Sequence, residues 1–212
     1  MVDIIIPWRD SGDWHRRIAC EHVQKHMAEY NLILADDGAE PFSRAGSKNA
    51  GVAKAQGDVL FFLDADMIVP HEQINAAIDK ARTDGIVVAF SEYRYLTDHP
   101  TRRVYKGRNP FEIKPQWVFD WSLGGAVAIR RDLFPSYDEE FIGWGMEDAA
   151  IVNVLHDKGY PLQRVTGPSV HLWHPGHVHD DNVEQNIRRY HEKYLRLDNP
   201  ATSDIIVPQQ QD

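Results

Sequence analysis

Three stretches of this 212-residue chain hold the residue types that bind metals and move protons. The first is Asp64-Ala65-Asp66, set directly after the apolar run Val59 to Leu63. In an extended segment positions i and i+2 share a face, so both carboxylates are expected on one side of a strand end. Such a pair suits a hard divalent cation that also holds phosphate oxygens. Isolated Asp-x-Asp triplets are common on protein surfaces; the preceding buried strand is what gives this one weight. The second is His171-Leu172-Trp173-His174, with His177 and His179 following. Histidines at i and i+3 reach one ion if the segment curls, and imidazole with carboxylate is a borderline ligand set that fits Mn²⁺. The competing reading is a pair of surface or capping histidines.

A third stretch, Gly143-Trp144-Gly145-Met146-Glu147-Asp148, is the most specific. Glycines on both sides of a tryptophan let the backbone bend sharply and free the ring to stack on the apolar face of a sugar. Glu147 and Asp148 then open a helix, whose N-terminus favours anions. One of the two carboxylates is a candidate general base for a hydroxyl. The plainer alternative is an ordinary helix start over a buried tryptophan.

These groups need elements to position them. Val2 to Ile6, Asn31 to Ala35, Asp58 to Leu63 and Ile86 to Phe90 read as strands, the first and third of them buried. Trp14 to Tyr30, Ala45 to Gln56 and His71 to Thr83 carry helical apolar spacing between them. The alternation predicts a Rossmann-like, mostly parallel sheet flanked by helices, with ligands beyond the carboxyl ends of the strands. Three of those ends carry Pro7-Trp8-Arg9, Asp36-Asp37 and Asp64-Ala65-Asp66. The second half reads differently. Tyr93 to Trp121 is poor in periodicity and rich in Arg and Lys, and is expected to be a long surface excursion. Gly124 to Ile129 reads as a strand, Glu147 to Asp157 as a helix, Arg164 to His174 as strand or loop, and Asp180 to Leu197 as a polar helix. We therefore expect one α/β domain over 1–197, with a nucleotide-binding half at 1–90, an acceptor and metal half at 91–197, and a tail at 198–212.

Composition narrows the classes. The net charge is −9, which argues against a protein that coats nucleic acid. One cysteine, Cys20, leaves no internal disulfide. No apolar run approaches the roughly 20 residues of a membrane span, and Asp3 stands where a signal peptide carries basic residues. The sequence thus reads as a cytoplasmic chain, bacterial or virus-encoded.

Six motifs in order carry a family resemblance running from about Ile4 to His174. They are Ile6-Pro7-Trp8-Arg9, Phe42-Ser43-Arg44-Ala45, Phe62-Leu63-Asp64-Ala65-Asp66, Gly124-Gly125-Ala126-Val127-Ala128, the Gly143–Asp148 stretch, and His174. Together they resemble GT-A glycosyltransferases, above all the catalytic domain of β-1,4-galactosyltransferases. Related patterns occur in chondroitin polymerases and polypeptide N-acetylgalactosaminyltransferases. The resemblance implies Asp66 and His174 as metal ligands and His171 at a third ligand position. It implies a UDP-sugar donor with Mn²⁺ or Mg²⁺, held by Pro7, Arg9, Asp37, Arg44, Asp64 and Gly125, with Lys48 on the phosphate side. Ser122 falls where the galactosyltransferases crowd the donor's C2 substituent; a small serine there implies that an N-acetylhexosamine is accepted. Glu147 and Trp144 would hold the acceptor, a carbohydrate or protein, and Asp148 would act as the base of an inverting transfer. Trp144 and the segment after His174, with a turn at Pro175-Gly176, would order on donor binding. The chain departs from the pattern at Ala149 and Ala150, which replace further acids, and it reads as lacking the family's anchor, stem and disulfide.

Three rival readings stand beside this one. A nucleotidyltransferase would open with a Gly-rich, Arg-containing loop, which Pro7 to Gly12 is not. A non-catalytic sugar-binding or scaffold module would need a decayed site, against which the full set of Asp66, His174 and Asp148 argues. A transferase acting on nucleic-acid bases has only the basic stretch from Arg94 to Lys114 in its favour.

Overall fold

The computed structural model describes residues 2–175 and 182–195. The expectations for His177, His179, the segment after Pro175 and the tail at 198–212 lie outside those residues. The first half follows the apolar pattern. Ile4, Ile5 and Ile6 in β1 (Asp3–Pro7) are fully buried, as are Val59, Leu60 and Phe61 in β3 (Val59–Leu63). Such runs need neighbours on both faces. β1 lies parallel between β2 (Asn31–Ala35) and β3. Helix α1 (Trp14–His26) starts on Asp13, whose carboxylate accepts from the amides of His15 and Arg16. Helix α2 (Arg44–Val52) starts on Ser43, whose hydroxyl accepts from the Gly46 amide, and packs on β1 and β2. Gly51 makes that contact close: a methyl group there would sit 2.3 Å from Ile5 Cγ2.

The order of the main sheet differs from simple alternation. After β4 (Met67–Ile68) and α3 (His71–Asp84), strand β5 (Ile86–Val88) does not lie beside β3. β8 (Ala126–Arg130) is inserted between them and runs antiparallel to both. β9 (Gln163–Arg164) closes the edge parallel to β5, giving the order β2-β1-β3-β8-β5-β9. The sheet is thus mostly parallel with one reversed strand, and α3 packs on β3, β5 and β8.

The stretch expected as a loose excursion is instead structured. Residues Glu92–Tyr95 form β6, Asp98–Tyr105 form α4 and Trp117–Phe119 form β7. With β10 (Pro168–His171) they make a second sheet in the order β4-β10-β6-β7. Its strands are only two to four residues long, so no long apolar run betrays them. Part of the basic charge is matched locally, Arg94 by Glu92 and Arg102 by Asp98. Helix α5 (Glu147–Asp157) occupies the expected residues, and α6 (Asn182–Lys193) falls within its expected range. No helix of the described residues is long and apolar enough to cross a membrane.

Candidate active site

The metal-type ligands are brought together by the join between the two sheets. β3 ends at Leu63, and Asp64 to Asp66 turn toward β4 rather than extending the strand. Their carboxylates therefore diverge instead of sharing the face that alternation predicts. Asp64 turns to Arg44, whose Nη2 donates to its Oδ1 at 2.6 Å. Asp66 turns to the histidines. β10 pairs antiparallel with β4, placing His171 opposite Met67, and the Leu172 amide donates to the Asp66 carbonyl at 2.8 Å. The Trp173 amide donates to Thr101 Oγ1 of α4, fixing the turn that returns His174.

One ligand atom from each of Asp66, His171 and His174 lies within 4.8 Å of the others. His174 Nε2 stands 3.0 Å from Asp66 Oδ2, and His171 Nε2 is 3.6 Å from Oδ1. Asp66 Oδ1 and His171 Nδ1 are buried with no hydrogen-bond partner. Unmet buried polar atoms are costly, and a cation relieves the carboxylate oxygen, so the donor set fits a divalent ion. Burial alone would raise the Asp66 carboxyl; the neighbouring His171 imidazole and the hydrogen bond from His174 outweigh it and hold the group well below the usual carboxylate range. Burial lowers His171, which favours the neutral imidazole that a metal ligand must be. Burial also opposes charge on His174, yet the Asp66 hydrogen bond raises its pKa. The His174 Nδ1 proton goes to the Pro175 carbonyl at 3.0 Å, leaving Nε2 to meet a cation. Tyr95 stacks on His171 with ring centres 4.5 Å apart and backs it from behind.

Asp64 and Asp66 form one wall of a cleft of about 300 Å³. Pro7, Arg9, Arg44 and Trp144, all expected at the site, line it too. Arg9 is held by Asp36 through Nε at 2.8 Å and by the Ala39 carbonyl and Glu40 through Nη1. Asp37 is set back from the cleft: Ser47 Oγ donates to its Oδ1, which in turn accepts from the Ala39 amide, bracing the turn before α2. Ser122 is also off the cleft, its hydroxyl donating to the Gly124 carbonyl at 3.2 Å. Gly125 does not line the cleft; it lies against Met67 and Tyr93, and its carbonyl accepts from the Asp64 amide at 2.8 Å.

Two expectations change with the packing. Lys48 is 2% exposed and points inward from α2, not toward phosphate. Its Nζ lies 2.7 Å from Asp148 Oδ1 and 3.2 Å from Glu147 Oε1. Glu147 is likewise buried, accepting from Arg44 Nε at 3.1 Å and, through Oε2, from the Gly145 amide at 3.2 Å. Both of its oxygens are engaged, one of them by the tryptophan loop. Ion pairs thus run without a break from Asp64 through Arg44, Glu147 and Lys48 to Asp148.

Asp148 keeps 16% of its side chain exposed but does not line the cleft. Its Oδ1 accepts from Lys48 and from the Tyr137 hydroxyl at 3.1 Å. Its Oδ2 lies against the backbone of Gly124, where a methyl group would come within 2.0 Å. Burial raises the Asp148 carboxyl, Lys48 pulls it down, and the balance stays above the usual value. A raised carboxylate is a better proton acceptor near neutral pH. Reading the sequence missed Tyr137 and the cleft residues Ser11, Arg16 and Asn182. Only the closeness of Ser11 and Arg16 to the first motif could have flagged them; Tyr137 and Asn182 arrive through tertiary contacts.

With this geometry in view, comparison with known proteins places the chain. Residues 21–134, just over half of it, match the family described as glycosyl transferase family 2, and the chain belongs to that family. β-1,4-Galactosyltransferase 5 of Mus musculus is 23% identical over 188 residues, covering 86% of this chain and 45% of its own length. The Danio rerio counterpart is 24% identical over 200 residues, covering 92% and 48%. The chain therefore spans about half the length of these curated relatives. Among solved structures it is similar to a Drosophila β-1,4-galactosyltransferase 7 variant in complex with manganese, UDP-Gal and xylobiose. That match has a TM-score of 0.54 at 16% identity, over 91% of this chain and 73% of the other. It is also similar to a Pyrobaculum calidifontis mannosyltransferase in complex with GDP-Man and Mn²⁺, with a TM-score of 0.54 at 15% identity over 84% and 58%. These likenesses establish the fold as that of GT-A glycosyltransferases.

Proposed function

We propose that this chain is a metal-dependent, inverting glycosyltransferase that moves a hexose or N-acetylhexosamine from a UDP-sugar to an acceptor hydroxyl. The observation that carries the reading is the Asp66–His171–His174 cluster, whose carboxylate opens into the same cleft as Arg44 and Trp144. A divalent cation held by these three side chains would neutralise the departing diphosphate as a Lewis acid. Arg16 and Arg44 face the cleft as further positive groups for the nucleotide. Trp144, half-exposed at the rim, offers its face to the acceptor sugar.

Asp148 takes the acceptor proton on Oδ2 while Lys48 and Tyr137 hold Oδ1. The acceptor oxygen attacks the anomeric carbon from the face opposite the diphosphate. The bond from that carbon to the phosphate oxygen breaks, and its electron pair leaves with UDP. Gly124 is required beside Asp148, because any side chain there would displace the carboxylate. The test is a screen of UDP-sugars, with mass analysis of candidate acceptors, on wild type and Asp148→Asn. The amide keeps the size but accepts no proton, so transfer falls about 10²–10⁴-fold while UDP binding with Mn²⁺ is kept. A variant within a few-fold of wild type removes Asp148 from the role of base.

A further inference from the structure

Helix α6 enters none of the chemistry above, yet one face of it touches the site at several points. Asn182 lines the cleft. Asn186 and Tyr190 follow at steps of four, on the same helical face, and both are 1% exposed. Asn186 Nδ2 donates to two loop carbonyls, Ile142 at 2.8 Å and Trp144 at 3.1 Å. Its Oδ1 is buried with no hydrogen-bond partner. A buried amide with an unmet oxygen is unfavourable, and the two bonds to the loop are what this residue contributes in return.

The loop needs such a hold. Gly143, Gly145 and Met146 all have positive φ, at 71°, 107° and 73°, so the backbone around Trp144 has little regular structure of its own. The Gly145 amide on Glu147 and the bridge of Gly143 to Ser43 fix its front. Asn186 fixes its back, on either side of Gly143. The far end of α6 is anchored separately. Asn153 of α5 donates to the Tyr190 hydroxyl at 2.8 Å, and Tyr194 donates to Asp138 Oδ2 at 2.8 Å.

We propose that Asn186 is a positioning residue: it sets the Trp144 ring across the acceptor side of the cleft, making α6 a working part of the site. The inference rests on the reading of Trp144 as the acceptor's stacking surface. Its test measures Trp144 directly. Acrylamide quenching of Trp144, taken as the difference between each protein and its Trp144→Phe form, is compared in wild type, Asn186→Ala, Asn186→Asp and Tyr190→Phe. KM for UDP-galactose with Mn²⁺, and for N-acetylglucosamine as the acceptor probe, are measured alongside. Asn186→Asp keeps the side-chain size and loses both donors, so it guards against a folding defect in the alanine variant.

Both Asn186 variants should raise Trp144 quenching at least twofold and the acceptor KM at least tenfold, with the donor KM within twofold. Tyr190→Phe, which loosens α6 without touching the loop, should leave Trp144 unchanged. Unchanged quenching in both Asn186 variants overturns the proposal. So does an equal change in Tyr190→Phe, which would reduce Asn186 to helix docking. Increased quenching with an unchanged acceptor KM upholds Asn186 as the positioning residue and instead removes Trp144 from the acceptor site.

Discussion

Lys48→Met separates the packing described above from a phosphate-binding role. The substitution keeps the length of the side chain and deletes its charge beneath two buried carboxylates. At an effective dielectric of about 20, an ion pair as close as Lys48 Nζ and Asp148 Oδ1, 2.7 Å apart, is worth at most about 6 kcal/mol. Breaking a buried pair by removing one partner costs about 3–5 kcal/mol in practice. For a chain of this size 1 kcal/mol moves the melting temperature by about 2–4 °C, so a fall of roughly 6–20 °C is expected by calorimetry. The catalytic consequence has a definite sign. Lys48 pulls the Asp148 carboxyl down against burial, so its loss raises that carboxyl further. Transfer needs Asp148 ionised, so the acid limb of the kcat/KM profile moves to higher pH. Donor affinity stays within twofold, because Lys48 does not line the cleft. A raised donor KM with an unmoved pH profile would return Lys48 to the phosphates and refute the reasoning.

Two further outcomes follow from the same geometry. Burial opposes the Glu147 charge, but Lys48 and Arg44 hold its pKa down to about 2 from an ordinary 4.5. Its contribution to stability is therefore full above pH 4.5 and is lost as pH falls toward 2. Melting temperature should drop through that window in wild type and less steeply in Glu147→Gln; equal slopes would contradict it. Ser122→Tyr should lower the ratio of UDP-GalNAc to UDP-Gal turnover if Ser122 shapes the donor pocket. An unmoved ratio would leave the residue with only its bond to Gly124.

What could be read from the sequence divides along physical lines. The runs Ile4–Ile6 and Val59–Leu63 declare buried strands because both faces must be apolar. Helix α5 is marked at its start by Glu147-Asp148 and at its end by Gly159. Asp66, His171 and His174 stood out because few other roles call for that set of residue types beside a strand end. The insertion of β8 between β3 and β5 was not legible, since an antiparallel pairing across some sixty residues leaves no local trace. The second sheet was hidden because strands of two to four residues are too short to show a period. The burial of Lys48 is illegible for a different reason. A lysine on a helix is expected in water, and only the two carboxylates arriving from α5 explain its burial. Asn186 was equally silent, as a polar residue in a polar helix whose partners lie in a loop more than forty positions away.

The central claim is that Asp66, His171 and His174 hold a divalent cation on which nucleotide binding depends. Calorimetric titration of UDP into wild type with Mn²⁺ and with EDTA, repeated on Asp66→Ala and His174→Ala, tests it most directly. In wild type, UDP binding is expected to require Mn²⁺, and it is expected to be lost in both variants, each of which keeps its fold. UDP binding of equal strength in EDTA, or Mn²⁺-dependent binding that survives Asp66→Ala, would contradict it.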